Sequence, residues 1–237
     1  MGAVLEMKVP RHLAALATVA LLALAGCGND PATSDLSEPI RLAREALKAR
    51  LNLTSGGATL ATLDPGAMAM LRSALEKDGQ PILLVANQTL NFAGLMAPYG
   101  MNGDVRTWAT EQYVTLSTRD GIVVATRGFG PDLMSAVAPS LAQIAAGQGT
   151  VQRRYYYLDG ADQTRSFAYG CSLTRAGSET ITILARPYAT SRITESCSGP
   201  AGSFKNEYWF DNRHILRQSH QFFVPGTDDL MLQSVID

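Results

Sequence analysis

Residues 114–127 read Val-Thr-Leu-Ser-Thr-Arg-Asp-Gly-Ile-Val-Val-Ala-Thr-Arg. Val114 and Leu116 alternate with Thr115 and Ser117. This is the period of two that a half-buried strand imposes, because successive side chains point to opposite faces of a sheet. Asp120-Gly121 supplies the two positive-φ positions of a type I′ turn, and 122–127 returns as the second strand. The hairpin sets the class of fold: antiparallel sheet.

The same pattern repeats on either side. Residues 82–86 form a short apolar strand, and 151–158 carry Tyr155, Tyr156 and Tyr157 before stopping at Asp159-Gly160. A further strand spans about 165–174 through Cys171, and Arg175-Ala176-Gly177-Ser178 reads as the turn into 180–188. Residues 204–210 and 215–224 pair about Asp211-Asn212-Arg213-His214, and 230–235 close the chain. One helical stretch is expected at 139–146. Ten or so short strands joined mostly by hairpins predict a mainly β protein, an antiparallel meander forming a barrel, half-barrel or sandwich. No βαβ alternation appears, which argues against a parallel sheet.

Upstream the period lengthens. Asp64 as N-cap, Pro65 at the first helical position, the stripe Met68, Leu71 and Leu75, and Gly79 as the stop predict a helix over 65–77. Met68 and Met70 read as core or gap-filler rather than a ligand strip. Residues 40–53 place Ile40, Ala43, Leu47 and Leu51 on one face, a second amphipathic helix with Ser37 and Pro39 at its start. The domain expected is therefore 40–237, a single β-rich body with one or two N-terminal helices. Residues 28–39 are polar and turn-rich, and read with Cys27 as a tether that spans about 40 Å when extended.

The first 26 residues are a leader. Lys8 and Arg11 form a basic n-region, and 13–25 is an uncharged apolar run, the length of a signal segment and short of the ~20 residues a spanning helix needs. Met7-Lys8 is a more usual beginning than Met1, since Glu6 fits an n-region poorly. Leu24-Ala25-Gly26-Cys27 matches a lipobox: small residues give the signal peptidase access, and the Cys27 thiolate accepts the diacylglyceryl group. Acyl chains at about 0.8 kcal/mol per buried methylene then anchor the protein. Gly28, where inner-membrane retention favours aspartate, points to the outer membrane, with the domain facing the periplasm. An incidental cysteine after an ordinary cleaved signal is the competing reading.

Cys171 and Cys197 remain, and an oxidising compartment makes them a natural disulfide. Two buried thiols or a redox pair are the alternatives, the second without the Cys-x-x-Cys spacing that depresses a thiol pKa. Net charge is -1 overall, with 17% charged residues and no basic stripe, which excludes a nucleic-acid binder. Losing the leader leaves 18 positive against 20 negative side chains.

Catalytic and metal chemistry find little material. His214 and His220 lie six apart in one strand region, some 20 Å apart at the usual strand rise, too far to share an ion. The Gly-x-Ser-x-Gly elbow is missing. Asp159 and Asp162 read as turn-formers rather than a glycosidase pair. Gly128-Phe129-Gly130 lacks the lysine and following helix of a phosphate loop and reads as a backbone bend. The aromatic residues Trp108, Tyr155, Tyr156, Tyr157, Tyr208 and Trp209 read as core, with sugar stacking the alternative. No cofactor and no metal are expected.

Several of these pieces together resemble the YjbF/GfcB lipoprotein family. They are Trp108, Asp120-Gly121, the run Thr126-Arg127-Gly128-Phe129-Gly130-x-Asp132-Leu133-Met134-Ser135, and Asn102-Gly103. Tyr157-Leu158-Asp159-Gly160, Cys171, Glu195-x-Cys197, Phe204-x-Asn206-x-Tyr208-Trp209 and Gln218-Ser219-x-Gln221 follow in the family's order. The match covers about 81–235; Asp104 and Phe129 depart from the usual glycine and leucine, and the helices between 40 and 78 fall outside it. The resemblance implies an outer-membrane accessory factor of capsular or exopolysaccharide production, without catalytic residues, and agrees with the disulfide. Its partners would be the membrane through the acyl chains and a polysaccharide or its export proteins. Arg127, Asp132, Trp108 and Trp209 are the candidate binding or structural motif. A carrier with an apolar groove for lipid in a half-closed sheet is the alternative, and a polysaccharide-modifying enzyme the weakest reading.

Overall fold

The computed structural model describes residues 64–237. The leader, Cys27, the tether and the helix expected at 40–53 lie outside the described residues. Helix α1 (Pro65–Asp78) precedes strands β1 (Ile82–Asn87), β2 (Phe92–Asn102), β3 (Val105–Ala109), β4 (Thr115–Arg119), β5 (Ile122–Arg127) and β6 (Ser135–Val137). A short helix α2 (Leu141–Ala145) leads to β7 (Gln148–Leu158), β8 (Thr164–Ile183), β9 (Arg186–Gly199), β10 (Gly202–Asp211), β11 (Leu216–Gln221) and β12 (Leu230–Ile236).

All twelve strands belong to one sheet in the order β5-β4-β3-β2-β1-β12-β11-β10-β9-β8-β7-β6. Every paired neighbour is antiparallel and consecutive in the chain, except that the first strand pairs with the last. The two outer strands, β5 and β6, are themselves consecutive and lie against each other. The sheet therefore curls into a nearly closed up-and-down barrel, which hides most of the edges an open sheet would expose.

Alternating strand direction sorts the connections to two ends. The start of β1, the β2–β3, β4–β5 and β10–β11 turns, α2, the β8–β9 hairpin and Asp237 gather at one end, the mouth. At the far end aromatic rings fill the barrel: Phe204 stacks on Phe222 at 4.0 Å, Tyr155 meets both edge-on, and Phe129 packs between Phe92 and Phe223.

Helix α1 has the ends its sequence specifies. Asp64 accepts a hydrogen bond from the Ala67 N–H at 2.8 Å, and Gly79 closes the helix at φ 70°. Leu71 and Leu75 pack on Ile82, Leu84 and Val235, outside the barrel, while Leu83 and Val85 face inward. Strand β1 is thus covered on both faces, which explains why its sequence is continuously apolar instead of alternating. Arg72 pins the helix down by donating to the carbonyls of Ile183 and Val235 at 3.0 and 2.9 Å. Elsewhere the outside is polar: Gln152, Arg154, Ser172, Thr174, Ser196 and Ser198 are all exposed. A lipid-facing strand would place apolar residues there. No helix among the described residues is long and apolar enough to cross a membrane.

The structure corrects the expected turn at 175–178. Strand β8 runs straight through it, one extra residue forming a bulge between Arg175 and Ser178 with Gly177 at φ 103°. An isolated glycine in a strand marks such bulges as often as turns. The real turn is Leu184-Ala185, at φ 41° and 64°, so the strand expected at 180–188 is two strands. Sequence reasoning also passed over β2, β3 and β6. Gly94, Pro98 and Gly100 interrupt the alternation in β2, and a bulge falls between Pro98 and Gly100.

Candidate functional site

Trp108 and Arg106 sit two residues apart on β3, so both project into the barrel, with Arg106 nearer the mouth. The indole N–H donates to Thr118 Oγ1 at 2.9 Å, and the Arg106 guanidinium lies 5.3 Å from the ring centroid. Around them opens a cavity of about 440 Å³, within the range of small-molecule sites. Leu83 (β1), Leu216 (β11), Leu232 (β12) and Trp108 form its apolar wall, and Leu141 of α2 also lines it. Met101, Asp104, Asp120, His214 and Asp237 surround the opening.

The charges at this mouth are mostly paired. Arg119 donates to Asp104 at 2.6 Å. Arg217, its side chain only 2% exposed, grips Asp237 with bonds of 2.6 and 2.8 Å, donates to Asp211 at 2.8 Å, and lies over the Tyr188 ring. Burial opposes charge on Asp211. The N–H groups of Ile215 and Arg213 and the Arg217 guanidinium outweigh it, holding that carboxyl below the usual carboxylate range. Arg106 differs: no carboxylate among the described residues forms an ion pair with it.

One side chain closes the wall beside β5. The Gln221 amide on β11 accepts from Val123 N–H at 3.0 Å and donates to Gly121 C=O at 2.8 Å. It thereby satisfies backbone groups on the unpaired edge of β5, where a further strand would otherwise be needed. Gly121 sits so close to Leu216 that an added Cβ would meet Leu216 Cδ2 at 3.1 Å. This gives Gln221, noted in the sequence only as part of a resemblance, a physical role.

Deeper in, Arg153 and Glu195 form a fully buried bidentate pair at 2.7 and 2.9 Å. Tyr208 Oη donates to Glu195, as does Asn206 Nδ2 at 2.8 Å. Burial opposes the charge on Arg153, but Tyr155, Tyr208 and Glu195 around it more than compensate and keep it charged. Burial likewise pushes the Tyr155 and Tyr208 phenols up, so they stay neutral. The Cys171 and Cys197 sulfurs lie near this carboxylate, a grouping with the outline of a metal site. Those two sulfurs are bonded to each other across a register pair of β8 and β9, and Glu195 is held by Arg153, so no open donor set exists there.

The candidate residues read from the sequence separate. Arg127 and Asp132 stand at the far end, in the segment joining β5 to β6. Asp132 accepts from Thr126 Oγ1, Gly128 N–H and Phe129 N–H at 2.9, 2.8 and 3.2 Å. Arg127 donates to the carbonyls of Thr126, Leu133 and Met134. Together they tie the seam where the barrel closes. Trp209 lies on the outer face of β10, its N–H donating to Glu179 on the long β8–β9 hairpin. Of the four, only Trp108 lines the mouth. Tyr155, Tyr157 and Tyr208 are core. Asp159 accepts from the N–H groups of Ala161 and Gln163, a turn-former's role. His214 occupies the β10–β11 turn at φ 60°, and His220 pairs with Asp229 at 2.7 Å.

Fold and mouth define a class: a nearly closed up-and-down barrel with a plugged far end and a mouth cavity of ligand size. The chain belongs to the family described as group 4 capsule polysaccharide lipoprotein gfcB, YjbF, whose model matches residues 57–235. Helix α1 therefore lies within the family's span, which corrects the expectation that both helices between 40 and 78 fall outside it; residues 40–53 do lie outside the span. In fold the chain is similar to the hypothetical lipoprotein YmcC from Escherichia coli (K12), at TM-score 0.59 and 15% identity over 76% of this chain and 97% of that one. No curated protein matches the chain. The family places it with capsule-associated lipoproteins of the cell envelope.

Proposed function

We propose that the protein is a non-enzymatic accessory factor in the production or export of an extracellular or capsular polysaccharide, and that it acts by binding. The observation that carries this is the family match across the whole described barrel. The mouth supports binding over chemistry. Two of its carboxylates, Asp104 and Asp237, are engaged in ion pairs with Arg119 and Arg217. The reading includes cleavage after residue 26, acylation of Cys27, a tether over 27–39, and residence on the outer membrane facing the periplasm. Its partners are the polymer or the proteins that export it.

Two experiments test these parts separately. Deleting the gene in a producing strain should lower surface or secreted polysaccharide; an unchanged polysaccharide profile refutes the role. Labelled palmitate should enter the protein in cells and not its Cys27→Ser variant; absence of label refutes the anchor.

A further inference from the structure

We infer that the mouth cavity holds the hydrocarbon chain of an anionic amphiphile, with the head group on Arg106. The inference rests on the reading of this protein as one that acts by binding, and assigns the mouth a ligand beyond the polymer or its export proteins. Leu83, Leu232 and Trp108, with Leu216 nearer the opening, give the cavity its apolar wall. A sugar ring placed there would trade hydrogen bonds with water for aliphatic surface, because the polar groups along the wall are already engaged. Trp108 donates to Thr118, and the Ser219 hydroxyl accepts from Gln221. A methylene chain loses nothing of this kind and gains from leaving water.

Charge at the rim selects the head. Asp104 is matched by Arg119, and Asp237 by Arg217. Arg106 is the cation left without a carboxylate among the described residues, and it stands between the apolar depth and the opening. Asp120 and His214, which line the same cavity, are exposed. A guanidinium so placed suits a carboxylate or a phosphate, which it can bind through two parallel N–H bonds.

The test uses the mature chain with Cys27→Ser, which has no acyl group of its own. Tryptophan fluorescence follows titration with alkanoates, alkyl phosphates and alkanols from octyl to hexadecyl. Saturable one-to-one binding is expected, tightening by about fourfold per added methylene until the cavity is full. Arg106→Gln should weaken the carboxylates and phosphates by about tenfold while alkanols bind as before. Whichever anionic series binds tighter identifies the source, a fatty acid or a phosphate-bearing lipid, and either order supports the inference. Binding that never saturates, that ignores chain length, or that Arg106→Gln weakens equally for alkanols overturns it. So does an oligosaccharide that occupies the mouth when alkyl chains do not. A polysaccharide defect on gene deletion without amphiphile binding would sink this inference and leave the accessory role standing.

Discussion

Taking Arg153 and Glu195 out of water is costly, and their mutual bonds offset that cost only while both are present. Glu195→Gln leaves the guanidinium buried among neutral groups only, the Tyr155 and Tyr208 hydroxyls among them. The expected loss is about 3–5 kcal/mol of stability in urea unfolding; a loss within about 1 kcal/mol would show that the pair is not as buried as its 1% and 0% exposures imply. Asp211 carries a pH signature. Its carboxyl is held down in the folded state, so its contribution is complete above the unfolded value of about 3.9 and disappears as pH falls through the folded one. Asp211→Asn should lower stability at neutral pH and flatten its fall on the acid side, read as urea midpoints across that range. Parallel curves for variant and parent would contradict the assignment. Sequence reading missed the Arg153 pair although a signal existed. Val151, Arg153, Tyr155 and Tyr157 alternate as one apolar face, and Ile193, Glu195 and Cys197 as another. A charge at the apolar parity of a strand announces a buried partner, but pattern alone does not say which strand supplies it.

At the scale of elements, the β8–β9 hairpin is the informative case. Its turn places Leu184 and Ala185 at positive φ, a conformation that costs L-residues roughly 1–2 kcal/mol each. Leu184 is kept there by packing under α1 with Leu71 and Leu75; exposed Ala185 has no such compensation. Ala185→Gly should therefore raise stability by about 0.5 kcal/mol, seen as a higher melting temperature, since glycine relieves the strain but adds freedom to the unfolded chain. A lower melting temperature would put the turn elsewhere. The disulfide closes this same hairpin across 26 residues, and replacing Cys171 and Cys197 by serine should cost about 3.5 kcal/mol in the chain-entropy picture. Asp120-Gly121 and α1 were legible because their chemistry is local. A turn made of leucine and alanine was not, because its reason lies in a helix about a hundred residues upstream.

For the molecule as a whole, strand alternation implied an antiparallel meander but left barrel, half-barrel and sandwich open. What decides is contact between the first and last strands, β1 and β12, together with the seam tied by Thr126, Arg127 and Asp132. The β1–β12 pairing is long-range, and no local period encodes it; the seam contacts join residues six apart, in a connecting segment that has no period to read. The candidate site was half legible: Trp108 stood out, whereas Leu216, Leu232 and Arg106 acquire meaning only when closure brings six strands around one cavity. Closure is also what turns a sheet into a binding device, so function and fold meet at the mouth. The most direct test is to measure secreted polysaccharide in the deletion strain complemented with the parent gene or with Leu216→Trp, which fills the cavity wall. At equal protein levels and unchanged melting temperature, the parent should restore the polymer and Leu216→Trp should not. Full restoration by Leu216→Trp would contradict a role for the mouth.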